Sequence, residues 1–246
     1  MAFDDNFVEP GERDQRYDRA KIETNVFEFD HRFKDQTIEV HRIPEDDFED
    51  FSEFEDSEFN VVVLSPSIAD RFKEKPAKMS GDILEEANKY KELSLDAQRT
   101  TKSDGTLMIH HAPLILPKIA MGLNKADRKF RYWISLERPT DEEYPIKHTH
   151  EGILMYFMNE NNFNYNRIRE PHDKCKVCNN YLSDWGGKKD QMNDNGNVIS
   201  DIWSEISFED YKNNTKLPIK ALDRLLDLVT DDDFKVLLAP YEGDLQ

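Results

Sequence analysis

The sequence has little cysteine, little glycine and no long apolar run. Its 246 residues include two cysteines and nine glycines. Two cysteines three positions apart, Cys175 and Cys178, do not make a disulfide framework. No run of about 18 apolar residues is present, so we predict no membrane span. The first residues lack the basic and apolar regions of a secretion signal, and we therefore expect a cytoplasmic protein.

Positive charge is also scarce. The chain has 33 lysines and arginines against 51 acidic residues, which gives a formal net charge of -18. Such a charge favours solubility and opposes loose binding to nucleic acid or to anionic membranes. Residues 1–58 contain 20 of the acids and only 7 of the bases, whereas residues 59–246 contain 31 acids and 26 bases. Any nucleic-acid surface is therefore expected in the second part.

Hydrophobic periodicity predicts strands that alternate with helices. Alternating apolar and polar residues over 37–43 indicate a half-buried strand. Short apolar runs predict further strands at 60–64, 106–110, 131–136, 150–157 and 236–238. Apolar residues at helical spacing predict helices at 80–101, 113–123 and 217–229. The alternation indicates an α/β fold with a mostly parallel sheet and helices on both faces. Asp104-Gly105 is predicted to be a turn between a helix and a strand.

Three segments depart from this alternation. Residues 1–35 have weak periodicity and are expected to form an extended arm. The acidic segment 44–58 has Phe48, Phe51 and Phe54 at helical spacing. It is either a surface helix whose phenylalanines pack on the core, or an acidic peptide that docks on a partner or mimics DNA. Residues 160–215 are rich in Asn, Asp, Lys and Gly and indicate an insertion of loops and short strands. The predicted division is 1–58 for the arm, 59–158 for the core, 159–215 for the insertion and 216–246 for a final helix and strand.

Several stretches occur in the order found in one enzyme family. They are FNVVVLSPSI over 59–68, KSDGTL over 102–107, HEGILMY over 150–156 and LPIKAL over 217–222. Together with the segment 172–203, they resemble the permuted (β-class) DNA methyltransferases that act on exocyclic amines. The resemblance implies a Rossmann-like methyltransferase fold, S-adenosylmethionine as cofactor, and the N4 of cytosine or the N6 of adenine in DNA as target. It also implies that 172–203 is a recognition segment.

The resemblance places the catalytic loop at Ser65, Pro66, Ser67 and Ile68. In the family, the first side chain and a proline carbonyl accept hydrogen bonds from the amine of a flipped-out base, and an aromatic residue stacks on that base. Ser65 and Pro66 match the serine-headed version of this loop. Ser67 replaces the second proline, and Ile68 replaces the aromatic ring. Base stacking contributes roughly 1–3 kcal/mol, so the loss of the ring is costly.

The cofactor loop departs further from the family pattern. Its positions are Ala239, Pro240, Tyr241 and Gly243. Ala239 replaces an acidic residue, and Glu242 and Leu245 replace glycines that allow the backbone to approach the ligand closely. The resemblance therefore implies a fold that is incomplete at the cofactor end, with weakened binding of S-adenosylmethionine.

Two further sets of residues are candidate binding groups. Cys175 and Cys178, with His172, are candidate zinc ligands; alternatively, the two cysteines are free thiols in a knuckle-like turn. The candidate DNA-contacting residues are Arg167, Arg169, Trp185, Lys188 and Lys189, because basic and aromatic side chains contact phosphates and bases. The alternative is that these residues belong to a solvated loop.

The leading functional hypothesis is a methyltransferase homologue that does not methylate by itself. It would be a DNA-recognition or structural subunit beside an active methyltransferase, or in a restriction or defence complex, and would bind DNA only weakly alone. One alternative is an active enzyme with an altered or partner-completed pocket. Another is an acidic interaction protein or DNA-mimic inhibitor. The neighbouring histidines His110 and His111 are interpreted as structural, and the sequence shows no serine–histidine–acid arrangement.

Overall fold

The computed structural model describes residues 23–27, 38–68, 81–126, 129–137, 150–159, 165–175, 178–181, 192–193, 195–204, 206, 217–229 and 234–241. The strands are β1 (Glu23–Phe27), β2 (Ile38–Arg42), β3 (Phe59–Leu64), β4 (Thr101–His111), β5 (Lys129–Glu137), β6 (His150–Phe157), β7 (Arg169–Glu170), β8 (Asn197–Val198), β9 (Ile202–Trp203) and β10 (Lys235–Leu238). The helices are α1 (Gly81–Thr100), α2 (Leu116–Lys125) and α3 (Ile219–Val229).

Eight of these strands form one mixed sheet in the order β1-β2-β10-β3-β4-β6-β5-β9, and β7 pairs with β8 separately. Strands β2, β10, β3 and β4 are mutually parallel, and β6 runs antiparallel between β4 and β5. The central parallel strands are covered on both faces, which explains the apolar runs over 61–64 in β3 and 236–238 in β10. Their carboxyl ends lie at one edge of the sheet, where ligands of α/β folds commonly bind.

Helices cover both faces of the sheet, as predicted. Helices α1 and α2 pack on one face through a core that includes Ile83, Ala87 and Ile119. Helix α3 packs on the other face, with Leu222 and Leu225 buried. Amphipathic spacing in each helix produces these two layers, because residues three and four apart share one face.

The predicted helix over 44–58 is wrong, but its phenylalanines do pack on the core. The backbone forms only a short 3₁₀ turn over Glu45–Asp47. Phe51 and Phe54 are buried. The Arg99 guanidinium donates hydrogen bonds to the carbonyls of Phe51 at 2.7 Å and Phe54 at 2.9 Å. The Phe51 carbonyl also accepts a hydrogen bond from the Phe54 amide at 3.1 Å, and these contacts together hold the segment in a turn structure.

The predicted turn at Asp104-Gly105 is also wrong, because β4 runs through it with an irregular register. Phe59 pairs with Thr101 and Val61 with Thr106, so three more residues lie on β4 than on β3 between these pairs. A Cβ at Gly105 would lie 2.6 Å from the Asn60 carbonyl oxygen. The glycine therefore serves the close approach of two backbones in a bulge.

The N-terminal region contributes two strands to the sheet. Strand β1 pairs antiparallel with β2, and β2 lies beside β10. The proposed division of the chain into an arm, a core and an insertion remains a prediction. None of the described helices is long and apolar enough to cross a membrane.

Candidate functional site

The first residues of the two predicted loops lie next to each other at the carboxyl edge of the parallel strands. Ser65 follows β3, and its amide donates a hydrogen bond to the Pro240 carbonyl at 3.2 Å. The Ala239 amide donates to the Val63 carbonyl at 3.0 Å. The neighbouring positions of β3 and β10 in the sheet thus join segments that are about 175 residues apart in the sequence.

A buried hydrogen-bonded array begins at Ser65. Ser65 Oγ lies 3.0 Å from His110 Nδ1, and His110 Nε2 lies 2.9 Å from Glu151 Oε2. The three side chains are no more than 2% exposed. With the imidazole proton on Nε2, His110 donates to the Glu151 carboxylate, and its Nδ1 accepts from the Ser65 hydroxyl. The Ser65 hydroxyl is thereby held in one orientation.

This arrangement can hold or move a proton. A serine hydroxyl bonded to an imidazole, which is bonded in turn to a carboxylate, is the geometry of an activated hydroxyl or a proton relay. Sequence reasoning missed it because the residues lie on three separate elements, the end of β3, β4 and the start of β6. The array could have been predicted from the fact that all three positions fall at the same edge of the predicted sheet.

The neighbouring His111 points to the opposite face, because successive strand residues alternate. Its ring packs edge-on against Tyr90, with 4.7 Å between ring centroids, and its Nδ1 accepts a hydrogen bond from the Ala112 amide. Burial, with a further contribution from His110, lowers the pKa of His111 to about 3. The ring is therefore neutral at physiological pH and serves the core of the α1 face.

The remainder of the predicted catalytic loop is packed into the protein. The Ser67 amide donates to Glu45 Oε2 at 3.0 Å. Pro66 is buried, and Ile68 is 1% exposed within the core on the α1 face. The residue that the resemblance places at the aromatic position, Ile68, is thus an aliphatic side chain directed into the core.

The described part of the predicted cofactor loop does not fit an open ligand-binding turn. Tyr241 is 1% exposed, and its amide donates to the Ile43 carbonyl at 3.0 Å. Its hydroxyl donates to the Leu217 carbonyl at 3.4 Å. Ala239 and Tyr241 thus use their amides internally, and Pro240 has none, so these residues offer no amide to a cofactor. Gly243 lies outside the described residues.

Two of the predicted DNA-contacting residues, Arg167 and Arg169, lie among the described residues. Arg169 donates from Nη1 to the Gly196 carbonyl at 2.6 Å and so stabilises the β7–β8 region. Arg167 is exposed at the mouth of a cavity of about 290 Å³, whose walls include Tyr132 and Trp203. Trp185, Lys188 and Lys189 lie outside the described residues.

The zinc hypothesis is not supported. No group of three metal-ligating side chains occurs in the part of the chain that the structure describes. His172 Nε2 bonds the Asn193 carbonyl at 2.7 Å, and Cys175 and Cys178 carry thiols rather than a disulfide. The Asn179 amide donates a hydrogen bond to the Cys175 carbonyl at 2.9 Å. Residues 176 and 177 lie outside the described residues.

Residues 59–237 match the sequence profile of the DNA methylase family of N6/N4 type. The chain therefore belongs to this family of S-adenosylmethionine-dependent DNA methyltransferases. Its fold is the Rossmann-like methyltransferase fold that the sequence predicted, with its mostly parallel sheet. The matched range begins at β3 and ends in β10.

Known relatives and structures are similar to this chain over different lengths. The type II methyltransferase M.BamHI of Bacillus amyloliquefaciens is 28% identical over an alignment of 155 residues that covers 59% of this chain and 36% of that protein. The match thus spans about a third of that relative. The PvuII cytosine-N4-specific DNA methyltransferase aligns over 82% of this chain and 73% of its own, at 11% identity and a TM-score of 0.48. A DNA modification methylase of Thermus thermophilus, complexed with S-adenosyl-L-methionine, aligns over 75% of this chain and 82% of its own, at 16% identity and a TM-score of 0.41.

Proposed function

We propose that this chain does not transfer a methyl group by itself and acts as a DNA-recognition or structural subunit of a modification, restriction or defence complex. The observation that carries the proposal is the placement of Ile68. A flipped-out base needs a platform beside Ser65, and stacking contributes roughly 1–3 kcal/mol. Ile68 is an aliphatic residue directed into the core, so the loop offers no ring there.

The cofactor side supports the same proposal. The amides of Ala239 and Tyr241 bond to Val63 and Ile43 within the protein. The Tyr241 ring fills the space between β2 and the start of α3. Binding S-adenosylmethionine here would require these contacts to break, so a partner chain would supply both the cofactor site and the reaction.

A direct test is methyl transfer and cofactor binding by the purified chain. We expect no saturable heat on titration with S-adenosylmethionine and no incorporation of labelled methyl groups into unmethylated duplex DNA. Fluorescence anisotropy should detect weak DNA binding that decreases steeply with salt. Capture of the tagged chain from its native host, followed by mass spectrometry, should recover a modification or restriction subunit. Absence of both a complex and a DNA shift at low salt would sink the proposal.

The second candidate is an active DNA N4-cytosine or N6-adenine methyltransferase, and the Ser65–His110–Glu151 array favours it. The buried carboxylate and imidazole keep the Ser65 hydroxyl oriented and can accept a proton from a group that it contacts. If the chain incorporates methyl groups, Ser65→Ala and His110→Gln should abolish the incorporation. Ser94→Ala is the matched control, because Ser94 is a buried serine in α1 that bonds the Tyr90 carbonyl at 2.6 Å.

A further inference from the structure

A basic cleft lies between α1 and α2, on the face of the sheet opposite to α3. It has a volume of about 350 Å³. Its lining consists of Lys91, Leu95, Lys118, Met121, Gly122, Lys125 and Ala126. Three of these seven residues are lysines and none is acidic, although acidic residues outnumber basic ones in the whole chain. The local charge of this cleft is therefore opposite to that of the protein.

The helical geometry directs the lysines of α2 into this cleft. Lys118, Gly122 and Lys125 follow the spacing i, i+4, i+7 and share one face of α2. Lys118 and Lys125 are therefore about 10 Å apart along the helix axis. The α2 segment contains no acidic residue that could pair with them.

The third lysine is placed by a glycine. A Cβ at Gly122 would lie 2.6 Å from Lys91 Cγ and 3.0 Å from Lys91 Cδ. The aliphatic stem of Lys91 thus lies directly on the backbone of α2, and its ammonium reaches the cleft from α1. Long lysine stems commonly cover apolar surface while the charge stays at the solvent.

Among the described residues, neighbouring groups do not account for the three charges. The dipole of α2 favours a cation in the last turn, which explains Lys125 but neither of the other two. Lys91 Nζ lies 2.5 Å from Glu92 Oε1, but the Glu92 side chain is 67% exposed and does not line the cleft. An exposed pair of this kind contributes little and is exchanged readily for a competing anion.

We infer that Lys91, Lys118 and Lys125 form a phosphate-binding site. Lysine ammonium groups bind phosphate as point charges. Three ammonium groups close together repel one another, and a bound phosphate dianion reduces this repulsion. The apolar side chains of Leu95 and Met121 also line the cleft and can contact the non-phosphate part of such a ligand. The phosphate belongs either to a nucleic-acid backbone or to a free phosphorylated compound.

The test uses inorganic phosphate as probe, with binding followed by ³¹P NMR at constant ionic strength. The double variant Lys118→Gln/Lys125→Gln should weaken phosphate binding by about tenfold or more, since each charged hydrogen bond contributes more than 1 kcal/mol. The control is Lys89→Gln, which removes a lysine of α1 that lies over Tyr90 and outside the cleft. Glu92→Gln should strengthen binding, because it removes the competing carboxylate.

A second arm distinguishes the two sources of phosphate. Duplex DNA binding is measured against salt for the parent and the double variant. The measured quantity is the slope of the logarithm of the binding constant against the logarithm of the salt concentration. If the magnitude of this salt slope decreases by about one for each lysine removed, the site binds the DNA backbone. An unchanged slope, with phosphate binding lost in the double variant, assigns it to a free phosphorylated compound. Equal phosphate binding by the parent and the double variant, or none by either, overturns the inference, whether or not the chain binds DNA or methylates it.

Discussion

Ser65 Oγ lies 3.0 Å from His110 Nδ1, although the two residues are 45 positions apart in the chain. The same imidazole bonds Glu151, which makes His110 the shared centre of three buried polar side chains. Two groups that bond to one imidazole influence each other through its tautomer and orientation. The effects of substitutions at Ser65 and Glu151 on the free energy of unfolding should therefore not be additive.

A double-mutant cycle measures this coupling. Ser65→Ala, Glu151→Gln and the double variant are compared by urea unfolding. We expect a coupling of about 0.5–3 kcal/mol, as for residues within one buried network. The control cycle combines Glu151→Gln with Ser94→Ala, which changes a buried serine outside the array and should be additive. Additivity in both cycles would mean that the array is not a single unit.

Arg99 should contribute strongly to stability. It donates to the carbonyls of Phe51 and Phe54 and pairs with Asp56 and Asp96 at 2.8 Å each. Arg99→Met leaves the two carbonyls without this donor, and we expect a loss of about 2–4 kcal/mol in the free energy of unfolding.

Arg99→Lys should recover only part of this loss, because lysine lacks the planar fork that reaches several acceptors. The control is Arg131→Met, at an exposed arginine of β5. It should change stability by less than about 0.5 kcal/mol. Equal effects of Arg99→Met and Arg131→Met in chemical denaturation would contradict the role assigned to Arg99.

Gly105 is required for the close approach of β3 and β4. In Gly105→Ala, the new Cβ would meet the carbonyl oxygens of Asn60 and Lys102 at 2.6 and 3.1 Å, and a backbone cannot give way cheaply. We expect a destabilisation of about 1–3 kcal/mol, measured by thermal unfolding. Gly81→Ala is the control, since nothing lies within 4 Å of its Cβ position at the start of α1. It should be neutral or stabilising, because alanine favours helix.

The buried His111 should make stability depend on pH. Its pKa is lowered from 6.5 to about 3 in the folded protein. Between these values the unfolded chain binds a proton at His111 and the folded protein does not. The contribution of His111 to the free energy of unfolding is therefore fully present above pH 6.5. It decreases by up to about 1.4 kcal/mol for each pH unit as the pH falls towards 3.

His111→Gln removes this titration, so its stability should vary less than that of the parent as the pH falls below 6.5. The variant is also expected to lose stability at every pH, because the contact with Tyr90 is lost. Only the difference in slope tests the titration. His150→Gln, at an exposed histidine, serves as the control and should follow the parent. Parallel curves for the parent and His111→Gln would refute the prediction.

The strongly patterned elements were predictable because their own residues decide them. Strand β6 spans His150–Phe157 as expected, and β3 differs from the prediction by one residue. Both are apolar runs buried on two faces, where burial and β propensity favour the same state. Helix α3 begins two residues later than predicted but ends at Val229, because its apolar stripe is regular.

The errors occurred where distant contacts decide the local structure. The phenylalanine spacing in 44–58 predicted a helix, but the Arg99 guanidinium bonds the Phe51 and Phe54 carbonyls, and the Phe54 amide closes a turn onto the Phe51 carbonyl. Asp104-Gly105 has the composition of a turn, but the approach of β3 makes it part of a bulge in β4. Neither partner is adjacent in sequence, so a local pattern does not reveal it.

The sequence by itself determined the family, the α/β alternation, the two apolar helix faces and the substitutions at Ser67, Ile68 and Ala239. These features depend on residue identity and spacing, which can be read directly from the sequence. Only the tertiary structure decided which polar side chains meet. It joined Ser65, His110 and Glu151 into one array and grouped three lysines between α1 and α2. It also engaged the amides of Ala239 and Tyr241 within the protein. Such groupings depend on strand order and on helix packing across the sheet, which connect residues that are far apart in the chain.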